Sequence, residues 1–189
     1  MRIILASNSP RRKELLSQIG TVFEVIPSKF EESKVDLPVL KMVEYFAYRK
    51  AKDVASLVRD DALVIGADTI VFLDEIMGKP RNREDASNML KKLSGKRHIV
   101  ATGLSVINTA TGESLTGHES TAVKMKKLSS DEITAYINTG EPSDKAGAYA
   151  IQGKGSLFIE GIEGDYFNIV GLPLFRLRMM LEHFGVKLI

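Results

Sequence analysis

The stretch Ser7-Asn8-Ser9-Pro10-Arg11-Arg12 gathers two hydroxyls and two guanidiniums at what reads as the start of a helix. Ser9 suits the N-cap, and Pro10 suits the first helical position, where its missing N–H is no loss. A helix start offers unpaired N–H donors and a partial positive charge, and guanidinium forks add charge-assisted hydrogen bonds, so the stretch can grip phosphate. A capped surface helix with solvated arginines fits the same residues equally well. Lys50 is the second candidate. At about 100° per residue from Val43, it falls within about 20° of the centre of an apolar stripe holding Phe46, Ala47 and Val54. Lys41, Glu44, Lys52 and Asp53 fall on the polar face. A lysine on the buried face either snorkels outward along its stem or reaches into a cleft that holds an anion.

Asp68 directly follows an apolar run, Ala62 to Gly66 and Ala67. Read as the carboxyl end of a buried strand, that is where α/β sheets place ligands. A carboxylate there can hold a divalent cation or orient a water, with Glu31 or Glu32 as a second ligand; magnesium prefers such oxygen ligands and shares itself with substrate phosphates. The plainer reading makes Asp68 the cap of a turn, and Glu31-Glu32 a solvated loop. Lys79, in Gly78-Lys79-Pro80, is held in a restricted turn by the following proline. The stretch Asp144 to Gly153 is rich in small residues that let backbone approach a ligand, and Gln152 can both donate to and accept from a base or phosphate. A tight strand pair would use the same small residues for packing alone. His98 is expected to cap a strand start or sit exposed, with no catalytic role.

Composition narrows the chemistry. Lys and Arg exceed Asp and Glu by 26 to 24, a net +2 in 189 residues. That balance is too small to bind nucleic acid in bulk, so any anion must be gripped by local geometry. No cysteine is present, which excludes disulfides, thiolate zinc sites and cysteine nucleophiles. His98, His118 and His183 are scattered, so a histidine-rich metal site is not expected. Neither GxxxxGKS/T nor GxGxxG occurs, which removes P-loop and Rossmann readings. The first apolar run, Ile3 to Ala6, is too short for a signal peptide or a membrane span, and a cytoplasmic protein is expected. The residues fit a nucleotide hydrolase that uses metal-activated water.

Those residues need elements to position them. The chain alternates apolar runs and helical periodicities, which predicts an α/β fold of one domain or two small lobes. Strands are predicted at 3–6, 21–27, 62–66 and 70–73, the last turning at Asp74-Glu75. Helices follow Pro10, span Leu37 to Val58, start after Asn82, and start again at a Ser129/Glu132 capping box. Two long strands, 99–108 and 114–125, flank a Thr109 to Gly112 turn. A hairpin is expected from Leu157 through Gly161–Gly164 to Tyr166–Val170, followed by a last helix over 174–184.

Taken in order, Ile3 to Arg12, Gly66-Ala67-Asp68-Thr69, Gly78-Lys79-Pro80, Leu93-Ser94-Gly95, Asp144 to Tyr149 and Val170 to Pro173 resemble the Maf family. These are bacterial septum-formation-inhibitor-like proteins that are nucleoside triphosphate pyrophosphatases. The resemblance covers nearly the whole chain, as a single Maf-like domain over 1–189. It implies an inosine-triphosphatase-like (Maf/Ham1) fold: a mixed, twisted central sheet flanked by helices, in two lobes with a cleft. It also implies release of pyrophosphate from a nucleoside triphosphate with a divalent cation, Mg²⁺ or Mn²⁺, and a homodimer. The chain carries SPRR where the 7-methyl-GTP type has tryptophan after the proline, GADT rather than GSDQ, and AGAYAIQG rather than AGSFKSEG. It is therefore similar to the dTTP/UTP type. By the same resemblance Asp68 is the proton acceptor and Glu32 its metal-side partner. Ser7, Arg12, Lys50 and Lys79 match phosphate-handling positions, and Arg12, Thr69 and Gln152 are linked to base selection; Ser9 and Arg11 join the substrate-binding set from the helix-start reading alone. Ala150 departs from the family pattern, where glycine precedes the Ile-Gln pair. The rival readings are a nucleotide-sensing regulator of cell division with little turnover, or the same reaction on 7-methyl-GTP or ITP.

Overall fold

The computed structural model describes residues 1–189. Strand β1 (Arg2–Leu5) leads into helix α1 (Pro10–Gln18), then a short β2 (Glu24–Val25) and the long helix α2 (Val39–Ala55). Next come β3 (Ala62–Phe72), β4 (Ile76–Met77), α3 (Arg83–Leu93), β5 (Arg97–Asn108), β6 (Ser114–Met125) and α4 (Ser130–Asn138). Three 3₁₀ turns cover Glu141–Asp144, Ala146–Ala148 and Gly153–Phe158, before β7 (Ile159–Glu163), α5 (Tyr166–Val170) and α6 (Leu174–His183). The strands form one mixed sheet in the order β2-β1-β3-β5-β6-β7, with β4 added on β3. β1 runs parallel to β2 and β3, whereas β3–β4 and β6–β7 are antiparallel. No helix is long and apolar enough to cross a membrane.

The chain divides into two compact units. The first comprises Met1–Asp68, Thr102–Glu119 and Gly171–Ile189; the second comprises Thr69–Ala101 and Ser120–Val170. In the first, α2 packs Ala51 and Val54 on Ile4, Ala62, Val64 and Ile107. Helix and strand can meet this closely because of two glycines. A Cβ on Gly66 would stand 2.2 Å from the Ala47 carbonyl oxygen, and one on Gly103 would stand 2.0 Å from that of Val43. In the second unit Leu90 and Leu93 of α3 share a core with Val123, Met125, Ile133, Tyr136 and Phe158. Asn82 caps α3 by accepting from the Asp85 N–H at 2.8 Å, and the predicted capping box at Ser129 and Glu132 is complete.

The structure departs from the sequence reading in several places, among them the strand expected from Leu157, where a 3₁₀ turn runs to Phe158 and β7 follows over Ile159–Glu163. The strands read separately at 62–66 and 70–73 are one continuous β3, so Asp68 lies inside a strand rather than after its end. Gly66, inside that strand, allows the close approach of α2. The strand expected at 21–27 shortens to two residues. Tyr166–Val170 is helix α5, not a strand, because the Asp165 carboxylate accepts from the Phe167 N–H at 2.7 Å and starts a turn there. Finally, His98 is neither exposed nor a cap: it is 2% exposed within β5.

Candidate active site

In the first unit the side chains with chemistry gather around Lys50. The β-strand alternation explains why: Gly66 faces α2, so Asp68, two residues on, faces it too. Ala47 and Ala51 bracket Gly66, and Lys50, one turn beyond Ala47, reaches Asp68. Its ammonium donates to Asp68 Oδ1 at 2.6 Å and pairs with Glu32 Oε1 at 2.6 Å. The Asp68 side chain is 9% exposed and that of Glu32 48%. Lys50 thus neither snorkels freely nor stands alone in a cleft. It bridges two carboxylates.

Glu32 is brought there by its loop, which is tied to α2. Asp53 accepts from the Ser28 hydroxyl at 2.8 Å and from the Lys29 N–H at 2.7 Å, and Ser28 Oγ in turn accepts from the Phe30 N–H at 3.0 Å. The Ser28 and Lys29 hydrogen bonds hold the Asp53 carboxyl below its usual range, against partial burial. The Arg49 guanidinium lies over the Phe30 ring, 4.6 Å from its centroid. Sequence reasoning placed Asp53 on the polar face of α2 and saw no more in it. Its loop partners lie about two dozen residues earlier in the chain, and no local motif signals them.

The helix-start stretch is arranged differently from its sequence reading. Ser9 occupies the N-cap of α1 with extended backbone and Pro10 follows, yet the Ser9 side chain makes no capping hydrogen bond. Instead the buried Ser7 Oγ accepts from the Ser9 N–H at 3.2 Å and from Arg12 Nη1 at 3.2 Å. Arg12 Nε donates to the Gly171 carbonyl at 2.8 Å. Burial lowers the Arg12 pKa, Asp68 and more weakly Glu32 raise it, and Arg11 lowers it again. Arg12 and the two carboxylates therefore share one electrostatic neighbourhood. Arg11 is half-exposed.

Thr69, Lys79 and Gln152 belong to the second unit. Thr69 and Gln152 are half-buried and Lys79 is exposed. Lys79 lines a cavity of about 350 Å³ with Glu75, Arg81, Asp85 and Lys92. Most of those charges are already matched: Arg81 pairs with Asp85, and Lys92 with Glu75.

The donor set suits a divalent cation. The Asp68 and Glu32 carboxylates meet at the Lys50 ammonium, and a divalent cation would share their oxygens with it. No cluster of three or more His, Cys, Asp or Glu residues occurs that could hold a metal unaided. Magnesium is commonly held in just this way, by one or two carboxylates completed by water and substrate phosphates.

A mixed α/β fold that sets a lysine-bridged carboxylate pair near a serine- and arginine-bearing helix start defines a protein equipped to bind a phosphate-bearing anion. The model of the family described as Maf-like protein matches residues 2–184, and the chain belongs to that family. The dTTP/UTP pyrophosphatase of Acetivibrio thermocellus is 52% identical, spanning 100% of this chain and 98% of that protein. The protein of the same name from Methanococcoides burtonii is 49% identical over 99% of this chain and 97% of its own. Among solved structures, a nucleoside-triphosphatase/dITP/XTP pyrophosphatase from Mycobacterium abscessus is a remote neighbour. It shares 13% identity, has a TM-score of 0.46, and covers 68% of this chain and 76% of its own.

Proposed function

We propose that this protein is a nucleoside triphosphate pyrophosphatase that hydrolyses dTTP and UTP to the monophosphate and pyrophosphate. The observation that carries this reading is the full-length match, at about half identity, to relatives bearing that name. The geometry around Lys50 supports the chemistry. Asp68 accepts the proton of the attacking water, whose oxygen bonds to the α-phosphorus while the bridging bond to the β-phosphate breaks and pyrophosphate leaves. Ser7, Ser9, Arg11, Arg12, Lys50 and Lys79 neutralise the triphosphate and the charge that builds on the leaving group. Arg12, Thr69 and Gln152 select the base.

Asp68 and Glu32 would hold a divalent cation, Mg²⁺ or Mn²⁺. When bound, it offsets the negative charge that these carboxylates and the triphosphate otherwise set against each other. Lys50 draws the two carboxylates together, which supports reading them as a ligand pair.

The test is pyrophosphate release from dTTP, UTP, CTP, 7-methyl-GTP and ITP with Mg²⁺ or Mn²⁺, with Asp68→Asn alongside. Preference for dTTP and UTP, with a rate drop of about 10²- to 10⁴-fold in the variant, is expected from loss of a general base. Nucleotide binding without release from any substrate would overturn the reading in favour of a regulator.

A further inference from the structure

Residues Ala150 to Gly155 make a short loop whose two ends are tied to one pair of side chains in the second unit. The Ala150 N–H donates to the Tyr136 hydroxyl at 3.2 Å, and that hydroxyl donates to Glu141 Oε1 at 2.8 Å. From the far end, the Gly155 N–H donates to Glu141 Oε1 at 3.0 Å and the Lys154 N–H to Oε2 at 3.0 Å. Tyr136 is 3% exposed on α4, and Glu141 follows Gly140, which ends that helix with φ +76°. A rigid, buried phenol and a carboxylate one turn further on therefore hold both ends of the loop.

The loop is shaped to receive the carboxylate. A Cβ on Gly153, whose φ is +74°, would stand 2.8 Å from Glu141 Oε2. One on Gly155 would stand 2.3 Å from the Ala150 carbonyl oxygen and 2.6 Å from the Tyr136 hydroxyl. Both glycines are thus demanded by the fit, one against the carboxylate and the other against the opposite end of the loop. Two successive N–H groups facing one carboxylate form an anion-binding concavity, here filled by the protein's own Glu141. Between the clasped ends, half-buried, lies Gln152.

We propose that Tyr136 and Glu141 act as a clasp that positions Gln152, so that discrimination among nucleobases depends on two side chains that do not themselves touch the substrate. The proposal rests on the reading of Gln152 as a base-selecting residue. A carboxamide distinguishes bases only if its donor and acceptor are held in register with those of the base. Gln152 is flanked by Gly153, which has the widest backbone freedom of any residue, so that register must come from outside the loop.

The experiment compares kcat and KM for dTTP, UTP, CTP and ITP in the wild type and in Gln152→Ala, Tyr136→Phe, Glu141→Ala and Glu141→Gln. Tyr136→Phe keeps the edge-to-face packing on Phe158, whose centroid is 5.0 Å away, and removes only the hydroxyl. Glu141→Gln keeps one acceptor oxygen but turns an amide donor towards a backbone N–H. Selectivity for dTTP and UTP over CTP and ITP should fall about tenfold in Tyr136→Phe and Glu141→Ala, the scale of one lost hydrogen bond. The loss should appear in KM for dTTP and UTP rather than in kcat, with Glu141→Gln falling in between. A selectivity ratio divides rates from one preparation, so a merely smaller folded fraction leaves it unchanged. Should Gln152→Ala lose selectivity while Tyr136→Phe and Glu141→Ala keep it, the clasp is refuted and the base-reading role of Gln152 stands. Unchanged selectivity in Gln152→Ala removes that role, and the clasp proposal with it.

Discussion

Lys50 shows how far one residue can be read from its place on a helix. Its position on the apolar stripe of α2 is visible by counting alone. Its partners are not, because they depend on which strand and which loop the helix lies against. Snorkelling and anion capture were the two outcomes that position suggested; the structure has it bridging Asp68 and Glu32 at 2.6 Å each. The arrangement predicts the effect of Lys50→Met, which keeps the apolar stem and removes the charge. Removing one partner of a largely buried pair typically costs 3–5 kcal/mol, because a charge is left behind without compensation. Glu32 is half-exposed and can turn to water, so the low end applies, about 3 kcal/mol. The KM for dTTP should also rise, since two unneutralised carboxylates repel the triphosphate. Urea unfolding and steady-state kinetics on the same preparation check both effects. Unchanged stability together with unchanged KM would show that the bridge contributes nothing in solution.

At the scale of elements, the contact between α2 and β3 sets the site, and glycine makes it possible. Gly66→Ala would place a Cβ 2.2 Å from the Ala47 carbonyl and 2.7 Å from the Ala51 N–H. No side chain can rotate away to relieve that contact; α2 itself has to move. Overpacking of this kind costs about 3 kcal/mol, which lowers the melting temperature of a chain this size by about 6–12 °C. Because α2 carries Lys50, kcat/KM should fall along with stability. Gly161→Ala is the matched control, since a Cβ there meets nothing within 4 Å, and both its melting temperature and its rate should stay at wild-type values. Wild-type melting in Gly66→Ala would mean that helix and strand are not so close. The same contact explains the misread strand. Residues 62–72 are buried on both faces for most of their length, so no alternation marks their extent, and Gly-Ala-Asp-Thr resembles a turn. Helix α5 was misread for another reason. Its aromatic and β-branched residues favour strand locally, but Asn168 is fully buried and donates to the Val100 carbonyl and to Thr121 Oγ1, each at 2.9 Å. Tertiary hydrogen bonds overrode the local preference.

For the molecule as a whole, the candidate site residues stand out because helix starts, apolar stripes and loop glycines leave marks in a sequence. The residues that hold them in place stand out less: Asp53, Tyr136 and Glu141 act on chain segments about 14 to 24 residues away, as judged from the hydrogen bonds they make. His98 leaves no mark of its burial in the sequence either, and it carries a consequence for stability. Its Nε2 lies 2.7 Å from the Tyr149 hydroxyl, its ring meets Tyr149 edge-on at 5.3 Å, and its Nδ1 is buried without a hydrogen-bond partner. Burial pushes its pKa down from 6.5 to about 4. The folded protein therefore keeps His98 neutral where the unfolded chain would protonate it. Above pH 6.5 the two states bind equal numbers of protons and the full stability is present; as pH falls towards 4 the unfolded state gains a proton the folded state refuses, and stability is lost. At 1.36 kcal/mol per unit, the loss between pH 6.5 and 5 is about 2 kcal/mol. The carboxylates held low by hydrogen bonds, Glu141 among them, lose their contribution only at lower pH, below the ordinary glutamate range. The window from 6.5 to 5 therefore belongs mainly to His98. Urea unfolding of the wild type across it should show that slope, and His98→Gln, which retains a polar partner for Tyr149, should be nearly flat. An equal slope in both proteins would mean that the buried histidine is not what makes the fold acid-sensitive.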